Sequence, residues 1–314
     1  MTRCPANRRG SCFQVRFSIF QPVFSVASYS CTVVFEHAER SDTVNTPDVF
    51  KRVEYKYLLS PQQFDSLTES LADKIRPDEF GRSTISSLYY DTRQFAMINR
   101  SLEKPVYKEK LRIRAYGTPE DGDPVYVELK KKFRGVVYKC RVPLTANAAY
   151  AFMGGVSYRS AALAFPLADA ALQDGCFLPR RIQIAEEISQ CCKRWEMPRP
   201  AMMVCVEREA YRCISAPDLR ITFDIMPRWR TDDLFFSAEQ AGRLLYPDGK
   251  VIMEIKCTDA YPFWLIEELD KHGVYPQPNS KYGLSYQEYH HLSCTLPRRR
   301  SHAVPEARIA AFAG

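Results

Sequence analysis

The sequence lacks the short motifs by which many proteins bind nucleotides and metals. It contains neither G-x-x-x-x-G-K-[ST] nor G-x-G-x-x-G, the loops whose backbone amides hold phosphate groups. Its five histidines form no H-x-x-x-H pair, and its 11 cysteines form no C-x-x-C pair. These absences argue against a histidine-centred or zinc site. Any phosphate-binding site would therefore consist of side chains rather than a glycine-rich loop.

The cysteine pattern has little in common with that of a disulfide-rich secreted protein. The number of cysteines is odd, and they are scattered among apolar residues, with Cys191 and Cys192 adjacent. This pattern is typical of reduced, buried thiols, and it predicts a cytoplasmic protein. Internal repeats, low-complexity tracts and Gly-Ser linkers are also missing, which favours one continuous domain.

The two ends of the chain differ in composition from its body. Residues 1–47 begin with basic residues and then carry no charge from Phe17 to Phe35. Gln21, Pro22 and several serines argue against a signal peptide or a membrane segment. We therefore expect an extension that is poorly ordered or precedes the true start of translation, and membrane association is left open only through this segment. A basic tail is predicted at 296–314, and one domain is predicted at 48–295.

What the sequence has in excess is positive charge. The 314 residues include 44 Lys and Arg against 37 Asp and Glu, and the formal net charge is +7. A moderately basic globular chain favours an anionic partner, such as a nucleic acid, a nucleotide, polyphosphate or an acidic membrane. Net charge alone does not choose among these partners.

The body of the chain is rich in Val, Ile, Tyr and Phe, in segments typical of β-strands. Strands are predicted at 50–59, 84–91, 106–116, 124–132, 136–144, 201–213, 219–226 and 251–257. Ser60 and Pro61 begin a predicted helix, and further helices are predicted within 145–195, at 237–245 and at 260–271. Closure of such strands would remove open edges. We therefore predict an α+β domain built on an antiparallel β-barrel of about eight strands, with inserted and flanking helices.

One parity of the predicted strands carries charged rows, while the other parity is mostly apolar, as in Leu111 and Ile113. Side chains alternate between the two faces of a strand, so each row lies on one face of the sheet. The rows comprise Arg52, Glu54 and Lys56; Lys110, Arg112 and Arg114; Glu128, Lys130 and Lys132; Lys139 and Arg141; Arg208 and Arg212; Arg220, Thr222 and Asp224; Glu254 and Lys256.

Two interpretations of these rows remain open. A half-buried sheet with its polar face in water would explain any one strand. Seven strands with Arg and Lys on the same parity instead favour an enclosed basic lumen, in which the cations would repel one another unless an anionic ligand neutralised them. The Glu residues would add oxygen ligands for Mg²⁺ or Mn²⁺. A metal-bound triphosphate or polyphosphate would satisfy both requirements.

The body also resembles a known family in nine stretches that occur in the family's order and cover about residues 50–290. The stretches are RVEYKYLLS at 52–60, SLYYDT at 87–92, KLRIRAYG at 110–117, VELKKK at 127–132, VVYKCRV at 136–142, EREAY at 207–211, LRITFD at 219–224, IMEIKC at 252–257 and SKYGLSY at 280–286. The chain resembles the catalytic domain of the vacuolar transporter chaperone (VTC) family, the polyphosphate polymerase domain, within the CYTH-like group of triphosphate tunnel metalloenzymes.

The resemblance implies an antiparallel β tunnel lined with Arg and Lys. By position, it implies catalytic roles for Lys56, Arg112, Arg114, Lys130, Arg208 and Arg220, and phosphate binding by these six together with Lys139, Lys256 and Lys281. Glu254 matches the family's carboxylate for Mn²⁺ or Mg²⁺, with Glu54 and Glu128 as additional metal positions. Related tunnel enzymes often carry E-x-E-x-K where this chain has Arg52, Glu54 and Lys56. This departure favours the polymerase branch over a two-metal triphosphatase.

The activity implied by the resemblance is transfer of the γ-phosphate of ATP to a growing inorganic polyphosphate chain. ATP and polyphosphate would be the partners, without sequence-specific binding of nucleic acid. A triphosphatase or an adenylate cyclase on the same fold is an alternative, as is a module that binds polyphosphate or nucleic acid without catalysis. Tyr89 and Tyr90 are interpreted as core residues, and Lys132 and Arg141 as rim residues.

Overall fold

The computed structural model of the chain describes residues 53–134, 136–236, 241–258 and 260–295. The predicted extension at 1–47, residues 48–52 at the predicted start of the domain, and the predicted tail at 296–314 lie outside the described residues. Within the described part, no helix is both long enough and apolar enough to cross a membrane.

The described residues form nine strands and eight helices. The strands are β1 Val53–Leu59, β2 Ile75–Asp91, β3 Tyr107–Tyr116, β4 Val125–Phe133, β5 Val136–Leu144, β6 Arg199–Cys213, β7 Arg220–Arg230, β8 Arg243–Leu244 and β9 Val251–Cys257. The helices are α1 Pro61–Ser70, α2 Ala96–Leu102, α3 Ala146–Met153, α4 Tyr158–Ala164, α5 Ala170–Gly175, α6 Pro179–Arg194, α7 Phe263–Lys271 and α8 Lys281–Thr295.

All nine strands belong to one antiparallel sheet. Its order is β1-β9-β7-β6-β2-β3-β4-β5, and β8 pairs only with β7. The predicted α+β class and the predicted antiparallel sheet are confirmed. The sheet is not closed, because the described residues of its end strands β1 and β5 do not pair with each other. The long strands satisfy most of their backbone groups along this single path.

Local signals explain where the helices begin. The Ser60 hydroxyl accepts a hydrogen bond from the Gln63 backbone, while the Gln63 side chain accepts one from the Ser60 backbone, so the two residues form a capping box before α1. Pro61 occupies the first turn, where its missing N–H costs nothing. The helix predicted at 237–245 is wrong in its described part, because Arg243 and Leu244 form the short strand β8.

The apolar parity of the strands faces the helices. Leu111, Ile113, Val127 and Leu129 are almost fully buried, in a cluster that also holds residues of α3, α4 and α6. A second cluster joins residues of β1, β7 and β9 to α1 and α7. Helices α1, α3, α4, α6 and α7 therefore cover one face of the sheet. The charged rows lie on the opposite face, which we call the inner face, and α8 packs against Tyr89 on that face.

The sheet curls so that distant strands meet across the inner face. Burial lowers the pKa of Lys130 on β4, Glu54 raises it, and Lys56 lowers it again. Glu54 and Lys56 lie on β1, near the other end of the strand order. The start of α8 also reaches both halves of the sheet: Ser280 accepts a hydrogen bond from Lys110 on β3, and Lys281 contacts Asp224 on β7. Charges on several strands are therefore brought into one site.

Candidate functional site

Strand parity brings the predicted cations and carboxylates to the inner face. The positions are Glu54 and Lys56 on β1, Arg112 and Arg114 on β3, Glu128 and Lys130 on β4, Lys139 on β5, Arg208 on β6, Arg220 on β7, Glu254 and Lys256 on β9, and Lys281 at the start of α8. Ion pairs link most of these residues into three groups, centred on Glu128, Asp224 and Glu254. Arg220 and Lys130 lie outside these groups.

The first group surrounds Glu128, whose side chain is 1% exposed. Arg112 donates from Nε and Nη2 to Oε2 of Glu128 at 2.8 and 2.6 Å. Lys139 Nζ lies 2.7 Å from Oε1, and Arg114 Nε lies 3.8 Å from Oε2. Burial alone would raise the pKa of Glu128, but the charges of Arg112, Arg114 and Lys139 outweigh it and lower the pKa to about 2. Glu128 is therefore a fixed anion that holds three cations in place.

Tyr89 extends this group toward α8. Its hydroxyl accepts a hydrogen bond from Nη1 of Arg112 at 3.0 Å, and its ring stacks on Tyr282 with 4.2 Å between the ring centroids. Burial favours the neutral phenol, but Arg112, Lys110 and Arg114 outweigh it and lower the pKa of Tyr89 to about 7. The interpretation of Tyr89 as a plain core residue is therefore incomplete: its ring is buried, while its hydroxyl belongs to the basic site.

The second group surrounds Asp224, which is 1% exposed. Arg208 binds it through two parallel hydrogen bonds, from Nε at 2.6 Å and from Nη2 at 2.9 Å, and Lys281 contacts Oδ2. Burial opposes ionisation of Asp224, but Lys281 and Arg208 outweigh it and hold its pKa far below the usual range. Asp224 belongs to a charged row in the sequence but was not among the predicted site residues, because an isolated carboxylate on a strand carries no signal of its partners.

The third group pairs two carboxylates with two lysines. Lys56 lies directly opposite Glu254 on the neighbouring strand, and Lys256 lies opposite Glu54. Lys56 Nζ is 3.9 Å from Glu54 Oε1 and 3.8 Å from Glu254 Oε2, while Lys256 Nζ is 4.0 Å from Glu54 Oε2 and contacts Glu254 Oε1. The pKa of Glu254 is held well below its usual range because Lys256 and Lys56 outweigh the effect of its burial.

Glu54 and Glu254 are the carboxylates of this face that best fit a divalent cation. The described residues contain no group of three or more His, Cys, Asp or Glu arranged around a common point. Mg²⁺, however, is commonly bound by one or two protein carboxylates together with phosphate oxygens, so two carboxylates that share their lysine partners suit this arrangement. Glu128 lies in a different group, where Arg112 and Lys139 contact its oxygens, and its metal-binding role stays a prediction.

Arg220 occupies a separate position on the inner face. Its Nη2 lies 2.5 Å from Oδ2 of Asp78, a carboxylate that also accepts hydrogen bonds from the backbone amides of Phe80 and Gly81. On the sheet, Arg220 lies directly opposite Lys256. The structure therefore connects Arg220 to the third group through its neighbour on β9, and not through a shared carboxylate.

Lys110 and Lys130 differ from the other cations. They lie directly opposite each other on β3 and β4, and among the described residues neither has a carboxylate within 4.0 Å. The ammonium of Lys110 donates to the Ser280 hydroxyl at 2.7 Å. Burial, together with Lys56 and Lys130, lowers the pKa of Lys110 to about 8. Lys110 shares its strand parity with Arg112 and Arg114 but was not among the predicted site residues.

The fold and the site together define an α+β protein with a curled antiparallel sheet and a basic inner face. A protein-family model described as the VTC domain matches residues 51–290, which is more than half of the chain. The chain therefore belongs to the VTC domain family, as its resemblance predicts. This membership supports a polyphosphate-related function.

Comparison with solved structures gives distant similarities, among them the following three. A candidate adenylate cyclase of Vibrio parahaemolyticus has 10% identity and a TM-score of 0.35, covering 76% of this chain and 98% of its own. A Pyrococcus horikoshii protein has 13% identity and a TM-score of 0.37, and the match covers 75% of this chain and 99% of that protein's chain. A chain of the Mediator head module of Schizosaccharomyces pombe has 10% identity and a TM-score of 0.33, and the match covers 78% of this chain and 96% of that one. TM-scores this low establish no relationship. The comparison with curated proteins gives no match.

Proposed function

We propose that this protein is a polyphosphate polymerase, which transfers the γ-phosphate of ATP to the end of a growing polyphosphate chain and releases ADP. The observation that carries the proposal is the pair Lys110 and Lys130, two adjacent cations without a carboxylate partner among the described residues. Adjacent like charges are unfavourable in a partly buried site, and a chain of phosphate groups would neutralise them. Membership in the VTC domain family supports the same substrate class.

The reaction is a displacement at phosphorus. A terminal oxygen of the polyphosphate chain attacks the γ-phosphorus, the bond to the oxygen that bridges the β- and γ-phosphates breaks, and ADP leaves with that electron pair. Because the attacking oxygen is already ionised, no strong general base is required. Catalysis then depends on holding the attacking oxygen and the leaving oxygen in line with the γ-phosphorus, and on stabilising negative charge in the transition state.

The basic residues would divide this work according to their partners. Among the described residues, Lys110 and Lys130 have no carboxylate within 4.0 Å, and Arg114 makes only a long contact with Glu128, so these three would bind phosphate oxygens first. Arg112 and Arg208 are held by Glu128 and Asp224, which fixes the direction of their guanidinium groups before substrate arrives. Pre-orientation of this kind lowers the cost of organising the site during the reaction.

Mn²⁺ or Mg²⁺ would be held by Glu54 and Glu254 and would neutralise charge on the phosphate oxygens. Lys56 and Lys256 each contact both carboxylates. These lysines would then turn from the carboxylates to the phosphates, so the same two residues would contribute to substrate binding.

Incubation of the purified protein with ATP and Mn²⁺, followed by gel electrophoresis of the products, tests the proposal. Polyphosphate that lengthens with time, together with ADP, supports polymerase activity. Inorganic phosphate as the main product would indicate a triphosphatase, and cyclic AMP would indicate a cyclase. Salt-sensitive binding of polyphosphate without turnover would indicate a binding module. Each of these last three outcomes contradicts the proposal.

A further inference from the structure

The tip of the β4–β5 hairpin exposes a group of large apolar side chains. We call this group the hairpin patch; it consists of Val106, Phe133, Val136, Val137 and Tyr138, which are 63%, 43%, 54%, 47% and 53% exposed. Val136 lies opposite Phe133 on the hairpin, and the carbonyl of Val106 accepts a hydrogen bond from the Arg134 backbone at 3.0 Å. Single exposed apolar residues are normal, but five large apolar side chains exposed at one end of the sheet are typical of an interaction surface.

The tip is exposed on both faces of the hairpin. Val136, Val137 and Tyr138 are consecutive residues of β5, so their side chains alternate between the two faces, and all three are exposed. Farther along the same strand, Val142 and Leu144 are buried. The tip therefore stands clear of the sheet and its helices. A groove on another protein would cover mainly one face of such a tip, whereas a fluid lipid interface can surround both.

The residues around the hairpin patch are mainly basic. Lys104, Lys108, Lys132 and Arg134 lie next to it, and the carboxylates nearest in sequence are Glu103 and the buried Glu109. Glu187 pairs with Lys131, which lies opposite Tyr138. Lys108 and Lys132 are directly opposite each other, and the Arg134 guanidinium lies 5.3 Å from the centre of the Phe133 ring. The pKa of Lys108 is lowered by burial and by the charges of Lys132 and Lys104, which indicates that these ammonium groups are close. The surface therefore complements an anionic partner.

We propose that the hairpin patch docks this protein onto the surface of an anionic membrane. Phe133, Val137 and Tyr138 would enter the layer of lipid headgroups, and Lys132 and Arg134 would bind lipid phosphates. This contact is with the membrane surface and involves no membrane-spanning segment. The inference does not rest on the proposed polymerase activity, because it concerns residues outside the catalytic assignment. Lys110 and Lys130 lie two residues along the same strands from Lys108 and Lys132, so docking would place the inner face close to the membrane.

Vesicle flotation tests the proposal with the full-length protein. Phosphatidylcholine vesicles with and without phosphatidylglycerol are the probes, and we expect binding only when phosphatidylglycerol is present. The double variant Phe133→Ser with Tyr138→Ser should weaken this binding about tenfold or more. The matched control, Leu163→Ser with Phe263→Ser, changes two apolar residues that are 59% and 74% exposed on α4 and α7, and it should bind as the parent does.

The outcomes separate the hairpin patch from the basic inner face. An equal loss of vesicle binding in the hairpin variant and in its control would overturn the proposal. Absence of vesicle binding in the parent would also overturn it and would leave an acidic protein as the better partner. Binding that tripolyphosphate abolishes equally in parent and hairpin variant would assign it to the inner face and would also overturn the proposal. Circular dichroism and thermal melts of each variant establish that the fold is kept.

Discussion

Lys110 and Lys130 face each other across neighbouring antiparallel strands, and among the described residues neither has a carboxylate within 4.0 Å. Most other cations of the inner face are paired, as Arg208 is with Asp224 and Lys139 with Glu128. This pair of cations therefore carries an electrostatic cost that a bound anionic ligand would remove. This relationship gives the first prediction.

Replacement of Lys130 by Met should stabilise the ligand-free protein by about 1 kcal/mol. The substitution removes a partly buried charge that Lys110, Lys56 and Arg112 repel, and it also removes attraction to Glu54 and Glu254. The same variant should bind tripolyphosphate more weakly than the parent. The control is Lys131→Met, on the same strand but on the opposite parity, where Lys131 pairs with Glu187 at 2.7 Å. Thermal melts with and without tripolyphosphate measure both effects. If Lys130→Met and Lys131→Met gain the same stabilisation from the ligand, Lys130 does not bind phosphate.

Lys139 should respond differently, although it also lies opposite Lys130. Its ammonium is 2.7 Å from Glu128, so Lys139→Met removes an attractive contact as well as a repulsive one. Lys139 is 39% exposed, and we expect a loss of stability of about 0–1 kcal/mol rather than a gain. Denaturant titration of Lys130→Met and Lys139→Met compares their free energies of unfolding. A clear stabilisation by Lys139→Met would mean that repulsion from Lys130 dominates there as well.

The two arginines of β3 should separate activity from stability. Arg114 makes only long contacts, at 3.8 Å with Glu128 and at 3.4 Å with the Ser87 hydroxyl, so Arg114→Ala should lose most activity and stay close to the melting temperature of the parent. Arg112 donates two hydrogen bonds to the buried Glu128, so Arg112→Ala should lose activity and also about 1–3 kcal/mol of stability. Turnover assays and melts measure both. Full activity in Arg114→Ala would remove this strand parity from the site.

Polyphosphate binding should weaken as the pH rises from about 7 to 9. The pKa of Tyr89 is lowered to about 7 and that of Lys110 to about 8, so the site first gains a negative charge and then loses a positive one. In the unfolded chain, these groups titrate near 10.0 and 10.5. The unfolded state therefore holds more protons between these values, and the stability of the empty protein should rise with pH over the same range.

Long-chain polyphosphate is the appropriate ligand for this measurement, because its internal phosphates do not titrate near neutral pH. Isothermal titration at several pH values should show the decline in the parent. Tyr89→Phe should remove the part near pH 7, and Lys110→Arg should remove the part near pH 8, since arginine stays charged. An unchanged pH profile in both variants would contradict the assigned pKa values.

Glu254→Gln should raise the Mn²⁺ concentration required for activity, with partial recovery at high Mn²⁺. Gln keeps the shape of the side chain but loses the charge that a hard divalent cation prefers. Glu128→Gln is the matched control, because Glu128 lies on the same face but is engaged by Arg112 and Lys139. Activity assayed over a range of Mn²⁺ compares them. The same shift in both variants would show that the metal assignment of Glu254 is not specific.

Strand periodicity predicts much of this architecture. The alternation of Leu111 and Ile113 with Arg112 and Arg114 predicts which face is apolar, and the structure places those leucine and isoleucine side chains against helices. Periodicity does not predict which charges pair. The engagement of Glu128 by Lys139 depends on strand register and side-chain direction, and it opposes the repulsion between Lys130 and Lys139.

Contacts between distant segments were beyond sequence reasoning. Tyr89 is a core residue by its position on β2, and only the approach of Arg112 and Tyr282 connects its hydroxyl to the site. The pairing of Asp224 with Lys281 likewise requires the start of α8 to reach the inner face. Closure of the sheet was also expected, but pairing of its end strands depends on the curvature of the whole sheet, which no single strand pattern specifies.

The most direct test of the central claim is a time course with ATP labelled at the γ-phosphate, incubated with the purified protein and Mn²⁺ and resolved on a gel. Our account predicts that label enters a ladder of lengthening polyphosphate in step with release of unlabelled ADP, and that Arg114→Ala loses this ladder. Label that appears only as inorganic phosphate, or that stays in ATP while polyphosphate is merely bound, would contradict the account.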